Sequence, residues 1–236
     1  MWKVWQAHPT STSHNMPYVE IKKSLFYEII KRLIDVIFST ILLIIFLPIV
    51  ILVAIGIKID SSGPIFADTP ERVGRSGRLF RMYKFRSMIQ NAHELLRGNP
   101  QYAKLYTKYK HGSYKLKDDP RITGVGRIIR KFSLDEVPQF INILRGDMSL
   151  VGPRAYYPDE LKEQQKKYPQ TEKSVRIVLS VRPGLTGYWQ VSGRSEINFD
   201  KRIEMDANYV RRRSILYDLW IIFQTPWAML SGKGAL

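Results

Sequence analysis

The chain contains no cysteine, which removes disulfides, thiolate nucleophiles and Cys-ligated zinc from consideration and is compatible with a reducing compartment. Its four histidines, His8, His14, His93 and His111, show no HExxH spacing, so the pattern of a zinc hydrolase is missing. Also missing are a GxxxxGK[ST] phosphate loop, a G-x-S-x-G nucleophile elbow and the D-x-D motif of nucleotide-sugar glycosyltransferases. There is no internal repeat and no low-complexity tract. Acids are scarce: 21 Asp plus Glu face 37 Lys plus Arg, a formal net charge of +16. Such a field attracts nucleic acid, an anionic membrane surface or phosphorylated substrates, and composition alone does not choose among them. The 236 residues favour one catalytic body with additions over two full domains.

Charge of either sign is absent from Val36 to Ile57, "VIFSTILLIIFLPIVILVAIGI", a run of 22 residues. That meets the roughly 20 residues a helix needs to cross the hydrocarbon core. A cleaved signal peptide fits poorly, because about 35 residues precede the run and no small-residue cleavage pattern follows. Pro48 stands near its centre, where it removes a backbone hydrogen bond and favours a kink. Lys22, Lys23, Lys31 and Arg32 precede the run while Lys58, Arg72 and Arg75 follow it, so the positive-inside rule draws both flanks to the cytosolic side. A helix broken at Pro48 that dips into one leaflet and returns satisfies both flanks, with a polar neighbour such as Ser39 or Thr40 at the break. An ordinary kinked transmembrane helix stays open as the alternative.

Around this segment three regions are expected: a polar tail at 1–19, a membrane-associated helix at 20–58, and a cytosolic catalytic domain at 59–236. "PERVGRSGRLFRMYKFRSM" places a glycine turn at Gly74 to Gly77 before a strand-like alternation from Leu79 to Phe85, which predicts a small β-hairpin. It carries Arg72, Arg75, Arg78, Arg81, Lys84 and Arg86 against Glu71 alone. Residues 89–117 read as a helix and a polar loop. The stretch from Phe199 to Leu230 reads as helices, the last of them aromatic and apolar behind Arg211, Arg212 and Arg213, as in a helix lying in a membrane interface. The fold class is α+β, mainly helical.

The chemistry concentrates in "RKFSLDEVPQF", residues 130–140, where Asp135 and Glu136 stand side by side in a basic chain. Val137, Phe140, Ile141 and Leu144 form a one-sided pattern and Gly146 suits a C-terminal cap, predicting a helix over about 135–145. Ser133 in a capping box with Glu136, or Asp135 itself, is the expected N-cap, and Pro138 favours the second. Either register puts both carboxylates near the positive helix end, where phosphate is also attracted. The plain alternative is that they only cap a helix. Arg130, Lys131, Arg145 and Arg154 surround them in sequence, and "LRGDMSLVGPR" adds a glycine-rich turn suited to phosphate. A carboxylate could then attack phosphorus, with a divalent cation offsetting the charge repulsion. Adjacent helical residues point about 100 degrees apart, so the two acids should have separate roles.

Taken with "KRLIDVIFSTILLIIFLPIV", "GPIF", "DDPRITGVGRIIRKFSLDEVPQFINILRGDMSLVGPR", "VRPGLTGYWQVSGRS" and "DLWIIFQTPWAMLSGKGAL", these motifs resemble the bacterial polyprenyl-phosphate sugar-1-phosphate transferases, monotopic phosphoglycosyl transferases. The match runs in the family's order over about residues 30–236. The resemblance implies a re-entrant membrane helix broken at Pro48, with the catalytic body on the cytosolic face of the bacterial inner membrane. It also implies a ping-pong reaction in which Asp135 takes the sugar-phosphate from a UDP-sugar, expelling UMP, and passes it to polyprenyl phosphate. Glu136 and Mg2+, held by Asp135 and Glu136, would complete the centre. Arg130 and Arg154 would hold phosphate, Lys84 and Arg86 would line the approach, and Arg182, Pro183 and Gly184 would shape the nucleotide side. Inner-leaflet lipids are expected partners, nucleic acid is not, and a homodimer is left open. Where the family usually reads GPRP this chain has Gly152, Pro153, Arg154 and Ala155, which implies a looser turn. It also lacks the large N-terminal membrane region of longer members. The rival from another class is a membrane-tethered nucleic-acid or anionic-lipid binder using residues 72–86.

Overall fold

The computed structural model describes residues 24–111, 116, 118–192 and 197–230, so the expected tail at 1–19, Lys22 and Lys23 lie outside the described residues. The fold is mainly helical. Helix α1 spans Leu25–Asp60, and α2 (Ala92–Gly98), α3 (Ala103–His111), α4 (Gly124–Lys131) and α5 (Gln139–Arg145) follow. Then come α6 (Pro158–Lys167), α7 (Glu172–Val178), α8 (Tyr188–Ser192), α9 (Phe199–Arg212) and α10 (Ile215–Leu230). Strands β1 (Arg72–Val73) and β2 (Leu79–Phe80) form the expected antiparallel hairpin. A second pair, β3 (Ser149–Val151) with β4 (Gly184–Thr186), is parallel.

Helix α1 opens at Ser24, whose hydroxyl accepts from the Tyr27 amide at 3.4 Å. Glu28 in the first turn and Lys58 in the last complement the helix dipole. The helix continues on both sides of Pro48, and its 36 residues correspond to about 54 Å. It is long and apolar enough to cross a membrane, and the chain is membrane-associated. One side faces outward: Leu25, Ile29, Leu33, Ile37, Ile41, Ile44 and Leu52 are exposed. The other side carries polar groups that find partners in the body, although the buried Ser39 hydroxyl has none. Asp35 Oδ1 accepts from Ser149 Oγ at 3.0 Å and from the Leu150 amide at 2.9 Å. Arg32 donates to the Ile143 and Leu144 carbonyls at 2.6 and 2.8 Å, satisfying acceptors that the end of α5 leaves open. Lys31 pairs with Asp218 of α10 at 2.8 Å, and Tyr27 and Tyr209 donate to the same carboxylate.

The far half of α1 is fastened too. Val53 and Ile57 pack with Phe85 and Ile129, and Asp60 accepts from the Val125 amide at the start of α4 at 3.2 Å. The central core joins α5, β3, α7, α9 and α10 through Ile143, Val151, Val178, Ile203, Val210 and Ile221, with Ile34, Leu42 and Phe46 of α1 laid against it. Helix α10 leaves Leu216, Trp220, Phe223 and Trp227 exposed at helical spacing, a contiguous apolar stripe of the kind that marks an interaction surface.

Replacing Asp35 by alanine should strand the Ser149 hydroxyl and the Leu150 amide in the core, at about 1–3 kcal/mol for each group. Thermal unfolding in detergent should then fall well below that of Leu33→Ala, which removes side chain from the exposed face.

Candidate active site

The acidic pair does not lie in an α-helix. Leu134, Asp135 and Glu136 form one turn of 3-10 helix, and α5 begins only at Gln139, behind Pro138. The expected helix over 135–145 is therefore shortened at its start, and neither Ser133 nor Asp135 caps it with a side chain. The turn closes with bonds three residues apart, from the Glu136 amide to the Ser133 carbonyl (3.1 Å) and from the Val137 amide to the Leu134 carbonyl (3.2 Å). Ser133 takes the left-handed conformation, φ 54°, which reverses the chain between α4 and the pair. Gly146 caps the other end of α5 as expected, at φ 86°.

Lys84 is the hub of the pair, at 2.6 Å from Glu136 Oε1 and 3.8 Å from Asp135 Oδ2. Its neighbours fix it on both sides. The Phe85 amide donates to the Asp135 carbonyl at 3.0 Å, and the Tyr83 amide donates to Asn142 Oδ1 at 2.8 Å. Asn142, fully buried on α5, also donates to the Arg81 carbonyl at 2.8 Å. Burial pushes the Asp135 carboxyl above its ordinary range; Glu136 adds to the rise, while Lys84 and Arg130 oppose it. Burial pulls the Lys84 ammonium down, but the attraction of Glu136 and Asp135 outweighs it and its pKa ends raised. Lys84 is therefore a fixed positive charge set between two unequal carboxylates.

Arg130 lies in the last turn of α4 beside this turn, and its carbonyl receives the Ser133 amide at 3.1 Å. Arg86 lies elsewhere: its terminal nitrogens donate to the Ser61 and Ser62 carbonyls, at the exit of α1. Arg154 is held by Glu160 at 3.7 Å, which also lies 3.6 Å from Arg202. Both guanidiniums stand 5.4 to 5.9 Å from the rings of Tyr156 and Trp189. The turn after Arg154 is well fastened despite Ala155, whose carbonyl accepts from Arg72 at 3.1 Å, while the Tyr156 carbonyl accepts from the Val73 amide at 2.9 Å. Pro183 and Gly184 are buried against that turn, and the Gly184 amide donates to the Pro153 carbonyl at 2.8 Å. A side chain at 184 would come within 2.1 Å of the Gly152 nitrogen, so glycine is required there. Arg182 points away, with Nε on the Gly146 carbonyl at 2.9 Å, at the end of α5 opposite the acidic pair.

Two functional neighbours escaped the sequence reading. Arg72 is buried with its guanidinium 3.3 Å from the Tyr157 ring centroid, and its charge reaches Lys84. Asn142 positions the Lys84 segment and looks, in sequence, like any polar residue on a short helix. Among the described residues no three His, Asp or Glu side chains gather as a metal cage. Two adjacent carboxylates do suit Mg2+, which is commonly held by one or two carboxylates together with substrate phosphates.

Buried Asp135 and half-exposed Glu136 thus share one lysine on a body fastened to a long apolar helix. The family model for bacterial sugar transferases matches residues 26–232, and the chain belongs to that family. It is 46% identical over 165 residues to an undecaprenyl-phosphate galactose phosphotransferase of Salmonella typhimurium, covering 70% of this chain and 33% of the relative. Against the exopolysaccharide production protein ExoY of Sinorhizobium fredii it is 39% identical, covering 76% of each chain. Against the UDP-glucose:undecaprenyl-phosphate glucose-1-phosphate transferase of Escherichia coli K12 it is 33% identical, covering 93% of this chain and 44% of the relative. The chain thus spans between a third and a half of the length of several relatives it matches.

Behind the turn, Asp206 is fully buried, accepts the Arg154 amide at 3.1 Å and leaves Oδ1 without a partner. Burial raises its pKa to about 7, against the pull of that hydrogen bond and of Arg202 and Arg154. The folded state therefore holds a proton that the unfolded chain releases near pH 4. The stability this contributes is complete below about pH 4, declines as pH rises and is gone above about pH 7. Thermal midpoints of Asp206→Asn should vary less with pH across that window than those of the native chain.

Proposed function

We propose that the chain transfers a sugar-1-phosphate from a UDP-sugar to undecaprenyl, or another polyprenyl, phosphate, with release of UMP. The observation that carries this reading is the buried, basic carboxylate of Asp135 beside Lys84 and Arg130. A carboxylate with a raised pKa is a better nucleophile once ionised, and a phosphorus centre is approached more easily where positive charge offsets repulsion. In the first step Asp135 attacks the phosphorus that bears the sugar. The bond to the bridging oxygen breaks, and UMP leaves with that oxygen. In the second step a phosphate oxygen of the lipid attacks the aspartyl-bound phosphorus, restoring the Asp135 carboxylate and giving a polyprenyl-diphosphate sugar. Mg2+ bound by Asp135, Glu136 and the diphosphate would supply further charge compensation. Lys84 steadies Glu136 and lines the approach, Arg130 faces the phosphates, and Arg154, tied to Glu160, fixes the turn behind them. The undecaprenyl-phosphate galactose phosphotransferase and the UDP-glucose:undecaprenyl-phosphate glucose-1-phosphate transferase to which the chain is similar support these substrates; they differ in the sugar.

The place we assign is the bacterial cytoplasmic membrane, with the catalytic body on its cytosolic face and α1 re-entrant. Support comes from α1 being fastened to one body along both halves, through Asp35 and Lys31 before Pro48 and through Ile57 and Asp60 after it. A helix spanning about 30 Å of hydrocarbon would carry its two ends to opposite sides. The nucleic-acid reading loses ground because Arg72, Lys84 and Arg86 are engaged within the fold.

Mixed with the correct UDP-sugar and no lipid acceptor, the protein should release UMP up to about one equivalent and carry a sugar-phosphate on the peptide containing Asp135. Asp135→Asn should abolish both, a loss of at least about a thousandfold in rate. Retention of the burst in Asp135→Asn together with its loss in Glu136→Gln would reverse the two roles.

Cysteines introduced at Ser24 and Ser62, in a chain that has none, report the topology. Both should resist a membrane-impermeant thiol reagent in intact cells and react after lysis. Labelling at one end alone would establish a true span.

A further inference from the structure

Beside the first turns of α1 lies an open groove of about 470 Å³ that the reaction does not use. Arg32, Arg75 and Arg182 line it together with Leu25, Ile29 and Leu33. The acid in its lining, Glu28, is already paired with Arg213 at 3.0 Å. Two of the arginines are held in place by carbonyls at the end of α5: Arg32 on Ile143 and Leu144, and Arg182 on Gly146. Positive charge is thus gathered where the carboxylates within reach among the described residues, Glu28 and Asp35, are already engaged by Arg213 and by Ser149 and Leu150. The Arg182 pKa is lowered by burial and then by the charges of Arg32 and Arg75, which outweigh the opposing pull of Asp35 and Glu28.

We propose that this groove is a second anion site, which takes the phosphate of a bilayer phospholipid while its acyl chain lies along α1. Guanidiniums bind phosphate oxygens through charge-assisted, often paired hydrogen bonds. The apolar lining selects the source of the phosphate. Leu25 is 74% exposed, Ile29 and Leu33 51% each, and Ile37 continues the row at 52%. A free phosphate leaves that row in water, whereas an acyl chain covers it. The groove lies at the end of α5 away from Asp135, about 10 Å along that helix, so a phosphate held here is not the one that reacts. The inference rests on the reading that α1 lies in the membrane. Its consequence is that a lipid headgroup joins α1 to the Arg75 and Arg182 segments.

Titration of the full chain in neutral detergent with a short-chain phosphatidylglycerol tests this, with matched phosphatidylcholine and inorganic phosphate alongside. The phosphatidylglycerol should bind saturably, at about one molecule per chain. Arg75→Gln with Arg182→Gln should weaken it at least about tenfold, as the loss of charged hydrogen bonds requires. Arg75→Gln alone, which leaves the Arg182 bond to Gly146 intact, should give part of that loss. Asp135→Asn should leave this binding unchanged. Equally tight binding of inorganic phosphate, full affinity in the double variant, or loss of binding in Asp135→Asn would each overturn the proposal. Flotation with phosphatidylcholine vesicles separates the two readings. A chain that floats but shows no saturable phosphatidylglycerol site sinks this inference only, and a chain that fails to float sinks the membrane placement of α1 with it.

Discussion

An apolar helix that also carries Lys31, Arg32, Asp35 and Asp60 must find partners for those groups somewhere, because an unpaired charge in a low-dielectric setting is very costly. Here they are met by the body, at β3, α5, α10 and the start of α4. The rest of the structure follows from that constraint. Helix α1 has one exposed apolar side and one side for protein, and the side for protein holds both ends of α5 in register: Arg32 caps its last turn, while Val53 and Ile57 pack under Phe85, whose amide fixes Asp135. The membrane segment and the acidic pair are thus parts of one mechanical unit.

Within that unit, Lys84 gives the two carboxylates different electrostatic surroundings. Glu136 holds the short ion pair, while Asp135 is the more buried of the two and keeps the longer approach to the ammonium. Proteins that separate the tasks of neighbouring acids do so through such asymmetry of burial and charge. The lysine cannot drift, because the peptide groups on both sides of it are bonded to Asn142 and to the Asp135 backbone.

What the sequence disclosed was local. The apolar run, the glycine turn of the hairpin, the Gly146 cap and the closing helices all have short-range patterns, and each is where the pattern placed it. Helix α5 starts later than its apolar pattern suggests because Pro138 permits a first helical turn without demanding one, and the chain uses 3-10 bonds there instead. The parallel β3 and β4 pair joins residues about 35 apart with no turn chemistry to announce it. The partners of Asp35 and Lys31 are 115 and 187 residues away, so no window of sequence shows them. Basic residues were the hardest to read. Arg72, Arg86 and Arg182 share one composition signal, yet one lies on a tyrosine ring, one closes the exit of α1 and one sits at the far end of α5.

The bond between Tyr27 and Asp218 spans 191 residues, which has a bearing on how the molecule is made. Helix α1 leaves the ribosome before the body it packs on, at about 5–20 residues per second of synthesis, and its hydrophobic stretch is complete long before Asp218 exists. Until their partners are made, Asp218 for Tyr27 and Lys31, and Ser149 and Leu150 for Asp35, these groups have only water to satisfy them. All three fall in the first three turns of the helix, where an inserted segment still touches the aqueous boundary. Their crowding at that end lets the newborn helix wait at the membrane without burying a charge, and the finished body then closes over them.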